Sequence, residues 1–220
     1  MSIQASTLFD AFRESGLLLD MAGKDATIDR IAAAENCGAG DLVFVDRDAF
    51  VASVLAGGPA AVITNADLAG AFADAAATVV FTTPDVKLAR ALVTQRFFDR
   101  NLRPEGTPRI DPSAVIAETA QVADSARIGA GVYVGPGATV GAESVVLANA
   151  VIEEGARIGE RSVIHPNVVV GFDCEIGNDV IIMSGTVVGS EGFGFAQDGQ
   201  RRSHRIPQMG VGVIEDRVVI

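Results

Sequence analysis

Residues 128–146 read IGAGVYVGPGATVGAESVV. Ile128, Val134, Val140 and Val146 stand six apart, and the same register runs outward in both directions. It begins at Ile110 and ends at Val188, fourteen Ile or Val without a break. Ile and Val together fill only about a fifth of the chain, so chance does not hold such a register. A second register lies four residues behind the first. From Ala114 to Thr186 it holds a small or slim side chain: Ala, Val, Ser, Cys or Thr. Gly directly follows the aliphatic at Gly129, Gly135, Gly141, Gly159, Gly171, Gly177 and Gly189.

A period of six fits neither an α-helix nor a simple two-residue alternation. It is the period of a parallel β-helix built of hexapeptide repeats. Each unit supplies one short strand and one turn, and three units make a triangular coil. The β-branched residue points inward and stacks on its equivalent one coil later. The slim residue also faces inward, at a corner with little room. Gly is expected to relieve backbone strain at the turn. Coil-to-coil hydrogen bonds run at about 4.8 Å. Coils this short wind left-handed, against the usual right-handed crossover preference. A fibrous or ice-binding solenoid with the same period is the rival reading.

The chain has 220 residues, enough for one large or two modest domains. Hydrophobic residues make up 49% but aromatics only 5%, as stacked small aliphatics require. The net charge of −11 argues against nucleic acid, whose phosphates need a basic face. Two cysteines make no disulfide framework. Cys174 falls on the slim inward register and reads as a buried reduced thiol, which fits a cytoplasmic protein. The N-terminus lacks a basic start and an apolar core, so it does not read as a signal peptide. The apolar run from Val51 to Ala66 is broken by Gly57, Gly58 and Pro59 and is too short to span a bilayer. No transmembrane segment is expected.

Residues 1–103 lack the repeat and read as a small α/β domain. Ser6 is placed to cap a helix carrying Leu8, Phe9 and Phe12 and ending at Gly16. Leu42–Val45, Ala60–Thr64 and Thr78–Phe81 read as strands. Asp48–Leu55 and Asp67–Phe72 read as helices. Thr83 and Pro84 open a longer helix to about Asp99, with Val86, Leu88, Leu92, Phe97 and Phe98 available for packing. Residues 104–109, rich in Pro and Gly, read as a linker. The β-helix is expected over 110–220, with the first domain covering its open strand edges. Residues 190–212 break the register and read as a loop ejected from one corner. The register returns at Ile214 and Ile220. The last coil carries no capping element, so the β-helix reads as truncated at its C-terminal end.

The order of a globular domain, hexapeptide repeats, the run Ser184-Gly-Thr-Val-Val-Gly-Ser-Glu-Gly-Phe-Gly-Phe-Ala196 and then Arg205-Ile-Pro-Gln-Met-Gly210 resembles the UDP-3-O-(3-hydroxyacyl)glucosamine N-acyltransferases of lipid A biosynthesis. The repeats are shared by many acyltransferases; the Gly192–Phe195 loop followed by Ile206, Pro207 and Gln208 is more specific. The resemblance implies transfer of an (R)-3-hydroxyacyl chain from acyl carrier protein to the 2-amino group of a UDP-linked acylated glucosamine. It implies a homotrimer, no metal and no diffusible cofactor. The family's catalytic His lies in an Ala-His-Asn run, which this sequence lacks. The catalytic residue is therefore unknown here, and that His is expected beyond Ile220.

A base is needed because the attacking amine loses a proton as it adds to the thioester. His165 follows an inward aliphatic and reads as a corner residue. His204 reads as a solvated loop residue without an evident orienting carboxylate. Neither is assigned as base. The family clamps uracil between two aromatics six apart with a polar residue midway. Phe44 and Phe50 match that spacing, with Arg47 between them, and Phe supplies the required π-faces. Arg47 reads either as a partner of the diphosphate or as surface. Ordinary core packing is the alternative for the two Phe. Arg201, Arg202, His204 and Arg205 form a basic island in an acidic chain, suited to dock an acidic carrier protein or simply solvated. Phe193 and Phe195 either anchor the loop or line an acyl groove. Competing functions are another hexapeptide acyltransferase acting on a UDP-sugar and a non-catalytic trimeric β-helix.

Overall fold

The computed structural model describes residues 2–99, 102 and 108–220, and the chain divides into Met1–Arg100 and Asn101–Ile220. In the first unit, β1 (Ile3–Gln4) pairs antiparallel with β3 (Thr27–Ile28). The main sheet has the order β2-β7-β6-β5-β4: β2 (Asp20–Ala22), β4 (Arg30–Ile31), β5 (Asp41–Val45), β6 (Ala61–Thr64) and β7 (Val79–Thr82). Only β2 runs antiparallel to its neighbour. Leu42, Ile63 and Phe81 point into one core with Leu8, Phe12, Ala89 and Val93. Val43, Val62 and Val80 point into the other with Val51, Val54 and Phe72. Cover on both faces of the parallel strands β5, β6 and β7 explains why residues 42–45, 61–63 and 79–81 are continuously apolar.

The helices differ in detail from the sequence expectation. α1 (Ala5–Phe12) begins one residue before Ser6, so Ser6 is no N-cap. Its hydroxyl donates instead to Asp25, whose carboxylate also accepts the Ser6 N–H. Asp48–Phe50 is a 3₁₀ turn leading into α2 (Val51–Gly57). α3 (Ala66–Ala69) passes into another such turn, Gly70–Phe72. α4 (Val86–Val93) starts two residues after Pro84, because Asp85 is the N-cap and accepts the Leu88 N–H at 2.9 Å. It continues into a π-helical turn, Thr94–Phe98. Leu88 and Leu92, expected to pack, remain exposed; Val86, Ala89 and Val93 face the sheet instead. Of the expected linker 104–109, residues 104–107 lie outside the described residues.

The second unit is a left-handed parallel β-helix whose two-residue strands stack into three sheets. One holds four strands and two hold five. The pairings Tyr133↔Val151, Thr139↔Arg157 and Val145↔Val163 are each one coil apart. The register aliphatics and their slim partners form one continuous core from Ala126 to Val188, with Cys174 inside it. Ile110, Ile116 and Val122 at the start are only partly buried.

The glycines follow a different rule from the one expected. Gly129, Gly135, Gly141, Gly159, Gly171 and Gly177 have no left-handed backbone, and of the seven only Gly189, at φ +82°, meets the expectation. The other six are glycine because neighbouring coils come too close: a Cβ on Gly159 would lie 2.5 Å from the Gly177 carbonyl oxygen. The left-handed residues sit two positions further on, at Gly131, Gly137, Glu143, Asn149, Gly155, Arg161, Asn167, Asp173, Asp179 and Gly185. Each N–H from Asn149 onward reaches back a coil, as Asn149 does to Ala130 O at 2.9 Å. In the earlier coils the hydroxyls of Ser113, Thr119 and Ser125 accept the N–H of Gly131, Gly137 and Glu143.

Two slim positions are polar and buried. Ser144 Oγ donates to Gly159 O and accepts the Ser162 N–H. Ser162 Oγ donates to Gly177 O and accepts the Val180 N–H. Each hydroxyl thus uses both capacities inside a dry corner, where an unmet group is costly. After Val188 the chain leaves the coil and returns at Val213–Ile214, which pairs with Glu175–Ile176. The excursion closes over Cys174. Gly212 N donates to its Sγ at 3.3 Å, and a Cβ on Gly189 would sit 2.2 Å from that sulfur. Within it, Phe195–Gln197 and Ser203–Arg205 form an antiparallel hairpin. Val219 makes a bridge to Ile181, continuing the coil.

Candidate functional site

β5 ends at Val45, and the chain turns through Arg47 into the 3₁₀ turn Asp48–Phe50. That turn folds the sixth residue after Phe44 back towards it. Phe44, Arg47 and Phe50 accordingly line one cavity of about 360 Å³. Its other walls are Ile31 at the end of β4 and the residues 32–35 that follow it, Asp46, and Arg90 in the last turn of α4. Both Phe are partly buried: Phe44 packs towards one core and Phe50 towards the other. The Arg47 guanidinium lies 4.7 Å from the centre of the Phe50 ring, and its Nε is 3.5 Å from Asp46 Oδ1. The cavity therefore offers two aromatic rings and two guanidinium groups within one α/β unit. Arg90 was not legible as a partner of Phe44, because the two meet only once the parallel sheet has placed α4 beside β5.

The ejected loop is different in kind. Phe193 is 97% exposed and packs only its ring against Phe195, centroids 4.9 Å apart. Ile206 and Met209 are exposed as well. The basic island is largely neutralised. Asp198 Oδ2 lies 2.9 Å from Arg202 Nε and 3.1 Å from His204 Nε2, and Arg205 pairs with Glu191. His204 therefore does have an orienting carboxylate, contrary to the sequence expectation. The hairpin brings residues 198 and 204 together across its turn, a contact that linear spacing does not reveal. Hydrogen bonds from His204, from the Arg202 and Gln200 amides and from the Arg202 side chain hold the Asp198 carboxyl down at about 2. Arg201 occupies the turn with a left-handed backbone, φ +61°.

His165 is half-buried at a coil corner, its N–H given to Ile182 O at 2.9 Å. It is remote in sequence register from the hairpin, and no hydrogen bond joins it to His204. Among the described residues no group of three His, Cys, Asp or Glu is arranged to hold a metal ion. Cys37 and Cys174 are both free thiols. No helix of the described residues is long and apolar enough to cross a membrane.

Residues 110–192 match a family model described as the GMPPB C-terminal domain. The whole chain is homologous to the UDP-3-O-acylglucosamine N-acyltransferase of Methylococcus capsulatus (strain Bath), with 47% identity over 220 residues. The chain spans 62% of that relative's length. Among solved structures, a mutant GDP-perosamine N-acetyl transferase from Caulobacter crescentus, in complex with CoA and GDP-perosamine, aligns at 18% identity and a TM-score of 0.30. It covers 98% of this chain and 87% of its own. The acetyltransferase domain of PglB from Neisseria gonorrhoeae, in complex with acetyl coenzyme A, aligns at 16% identity and a TM-score of 0.29, over 50% of this chain and 52% of its own.

Proposed function

We propose that this chain works in an N-acyltransferase that moves an (R)-3-hydroxyacyl group from acyl carrier protein to the 2-amino group of a UDP-3-O-acyl-glucosamine, in cytoplasmic lipid A biosynthesis. The observation that carries this reading is the 47% identity, over all 220 residues, to a protein named for that acceptor. The cavity of the α/β unit supports it. A flat pyrimidine suits the two rings of Phe44 and Phe50, and the guanidinium groups beside them suit a diphosphate. Nucleotide binding in this unit and acyl transfer at the β-helix are then separate tasks. Neither His165 nor His204 is assigned as the general base. That group is placed in the part of such an enzyme outside this span.

A homotrimer is part of the proposal. On one of the three sheets the outward residues Val115, Tyr133, Val151, Val169 and Val187 are all apolar. Val115 and Val187 are 60% and 53% exposed. Another sheet carries Gln121, Thr139, Arg157 and Glu175 at the same positions and only its last strand, with Val213, is apolar there. An apolar ladder on one face and a polar one on another suit a closed ring in which the apolar face is covered. The exposed Phe193, Phe195, Ile206 and Met209 suit contact with an acyl chain. The hairpin cations, being mostly paired, offer a carrier protein less free charge than their number implies.

The test is direct. Transfer from 3-hydroxyacyl carrier protein to UDP-3-O-acylglucosamine is measured with the protein, alongside calorimetric UDP binding. UDP is expected to bind the chain, and Phe44→Ala to abolish that binding. UDP binding that survives Phe44→Ala unchanged removes the nucleotide cavity. Transfer abolished by His165→Ala or His204→Ala would relocate the base to this chain.

A further inference from the structure

Two cations line the cavity, and they are not equivalent. Arg47 is committed: its guanidinium lies over the Phe50 ring and its Nε faces Asp46. Arg90 is exposed at the end of α4, and among the described residues its guanidinium makes no hydrogen bond or ion pair. Glu35, the remaining charge in the lining, makes no ion pair with it. An unpaired guanidinium keeps all five of its N–H donors, in a planar fork that matches phosphate oxygens two at a time. The rest of the protein works against an anion here, since the chain carries a net charge of −11. A cavity that accepts a phosphate in such a field needs one local, uncommitted cation.

We infer that Arg90 is the residue that reads the phosphates of a nucleoside diphosphate in this cavity, while Arg47 fixes the Phe50 ring that faces the base. The inference rests on the nucleotide reading of the cavity and deepens it by dividing the two arginines between the two halves of the ligand. α4 and β5 become joint specificity elements. The base is read from the strand end and the phosphates from the helix end. A nucleoside without phosphate loses the contribution of α4 altogether.

Uridine, UMP and UDP are the probes, titrated calorimetrically into the full chain and its variants. UDP is expected to bind at least tenfold more tightly than uridine at low salt. That advantage should shrink as salt rises, because the contact is solvent-accessible. In Arg90→Gln the UDP-to-uridine ratio falls to within about twofold of unity. Arg90→Lys keeps only part of it, because a point charge lacks the planar fork. Circular dichroism checks that the variants fold; Arg90 lies outside both cores of the unit. An unchanged ratio in Arg90→Gln makes this arginine a helix-end cation only and overturns the inference. A ratio lost in Arg47→Gln and kept in Arg90→Gln does the same. In either case, uridine binding that Phe44→Ala abolishes leaves the nucleotide reading standing. If neither uridine nor UDP binds, both fall.

Discussion

The β-helix and the α/β unit solve the same problem by opposite means. The β-helix buries only slim and β-branched side chains, each stacked on a near-identical one, so every coil meets the same steric rule. The α/β unit buries single large residues such as Phe72 and Phe81 once each, between layers that come from distant parts of the chain. Repetition makes a fold that tolerates no added atom at a contact between coils. Non-repetition makes one that tolerates no missing ring, and it leaves an irregular cavity where a ligand can be shaped. The proposed nucleotide site lies in the unit without the repeat for that reason.

The sharpest way to break this contrast is a pair of substitutions. Phe81→Ala empties a site with no exposure, where the ring stacks on Phe9 at 6.4 Å between centroids. It should cost about 3–5 kcal/mol. Hydrogen exchange should show the lost protection concentrated in residues 2–99. Protection lost equally through the coils would erase the distinction. Gly159→Ala adds a single methyl against the Gly177 carbonyl. Overpacking of backbone on backbone should cost about 2–3 kcal/mol in urea unfolding. A neutral result there means that the coils can spread.

Smaller effects refine the same picture. Ser162→Ala removes both the acceptor for Val180 N–H and a donor to Gly177 O. Leaving those groups dry and unmet should lower stability by about 1–3 kcal/mol. Gly137→Asn should cost no more than about 1 kcal/mol, because Asn tolerates a left-handed backbone better than most residues. Its backbone is left-handed at φ +66° with open space around the Cβ position, and Asn149 and Asn167 already occupy equivalent corners. The weakest effect concerns the hairpin. Its Asp198 carboxyl is lowered to about 2 in the fold, against about 3.9 for a free aspartate. The contribution is thus present above the unfolded value and lost as pH falls through the folded one. Amide resonances of residues 198–204 should broaden or shift between about pH 4 and pH 2, before the coils respond. Asp198→Asn should bring that change to neutral pH.

The coils were legible because one steric demand recurs every six residues and always selects the same kind of side chain. The left-handed corner was not. Its occupants are Gly, Glu, Asn, Arg and Asp, which share tolerance of positive φ but no chemistry that a pattern search meets. Six of the seven glycines that follow a register aliphatic mark close contact between coils, not the left-handed corner two positions on. In the α/β unit the central strands were legible from their continuous apolar runs. The two-residue β1, β3 and β4 were too short to carry any period. Ser6 looked like a cap from its neighbours alone, while its partner Asp25 lies nineteen residues away. The site was half legible. Phe44, Arg47 and Phe50 stand close in sequence, whereas Arg90 and the Asp198–His204 contact depend on topology.

The coil resumes at Ile214 over Ile176 as though residues 190–212 had not been spent, and the gap closes on Cys174 with two glycines at the neck. The stack does not register how much chain leaves at that corner, since a longer closed loop adds only a slowly growing entropy cost. The inserted segment is therefore a replaceable cartridge. Its length and composition can drift, or be exchanged between relatives, without a compensating change in the coils on either side. In this architecture, novelty in what the outer surface touches can arise without refolding the scaffold.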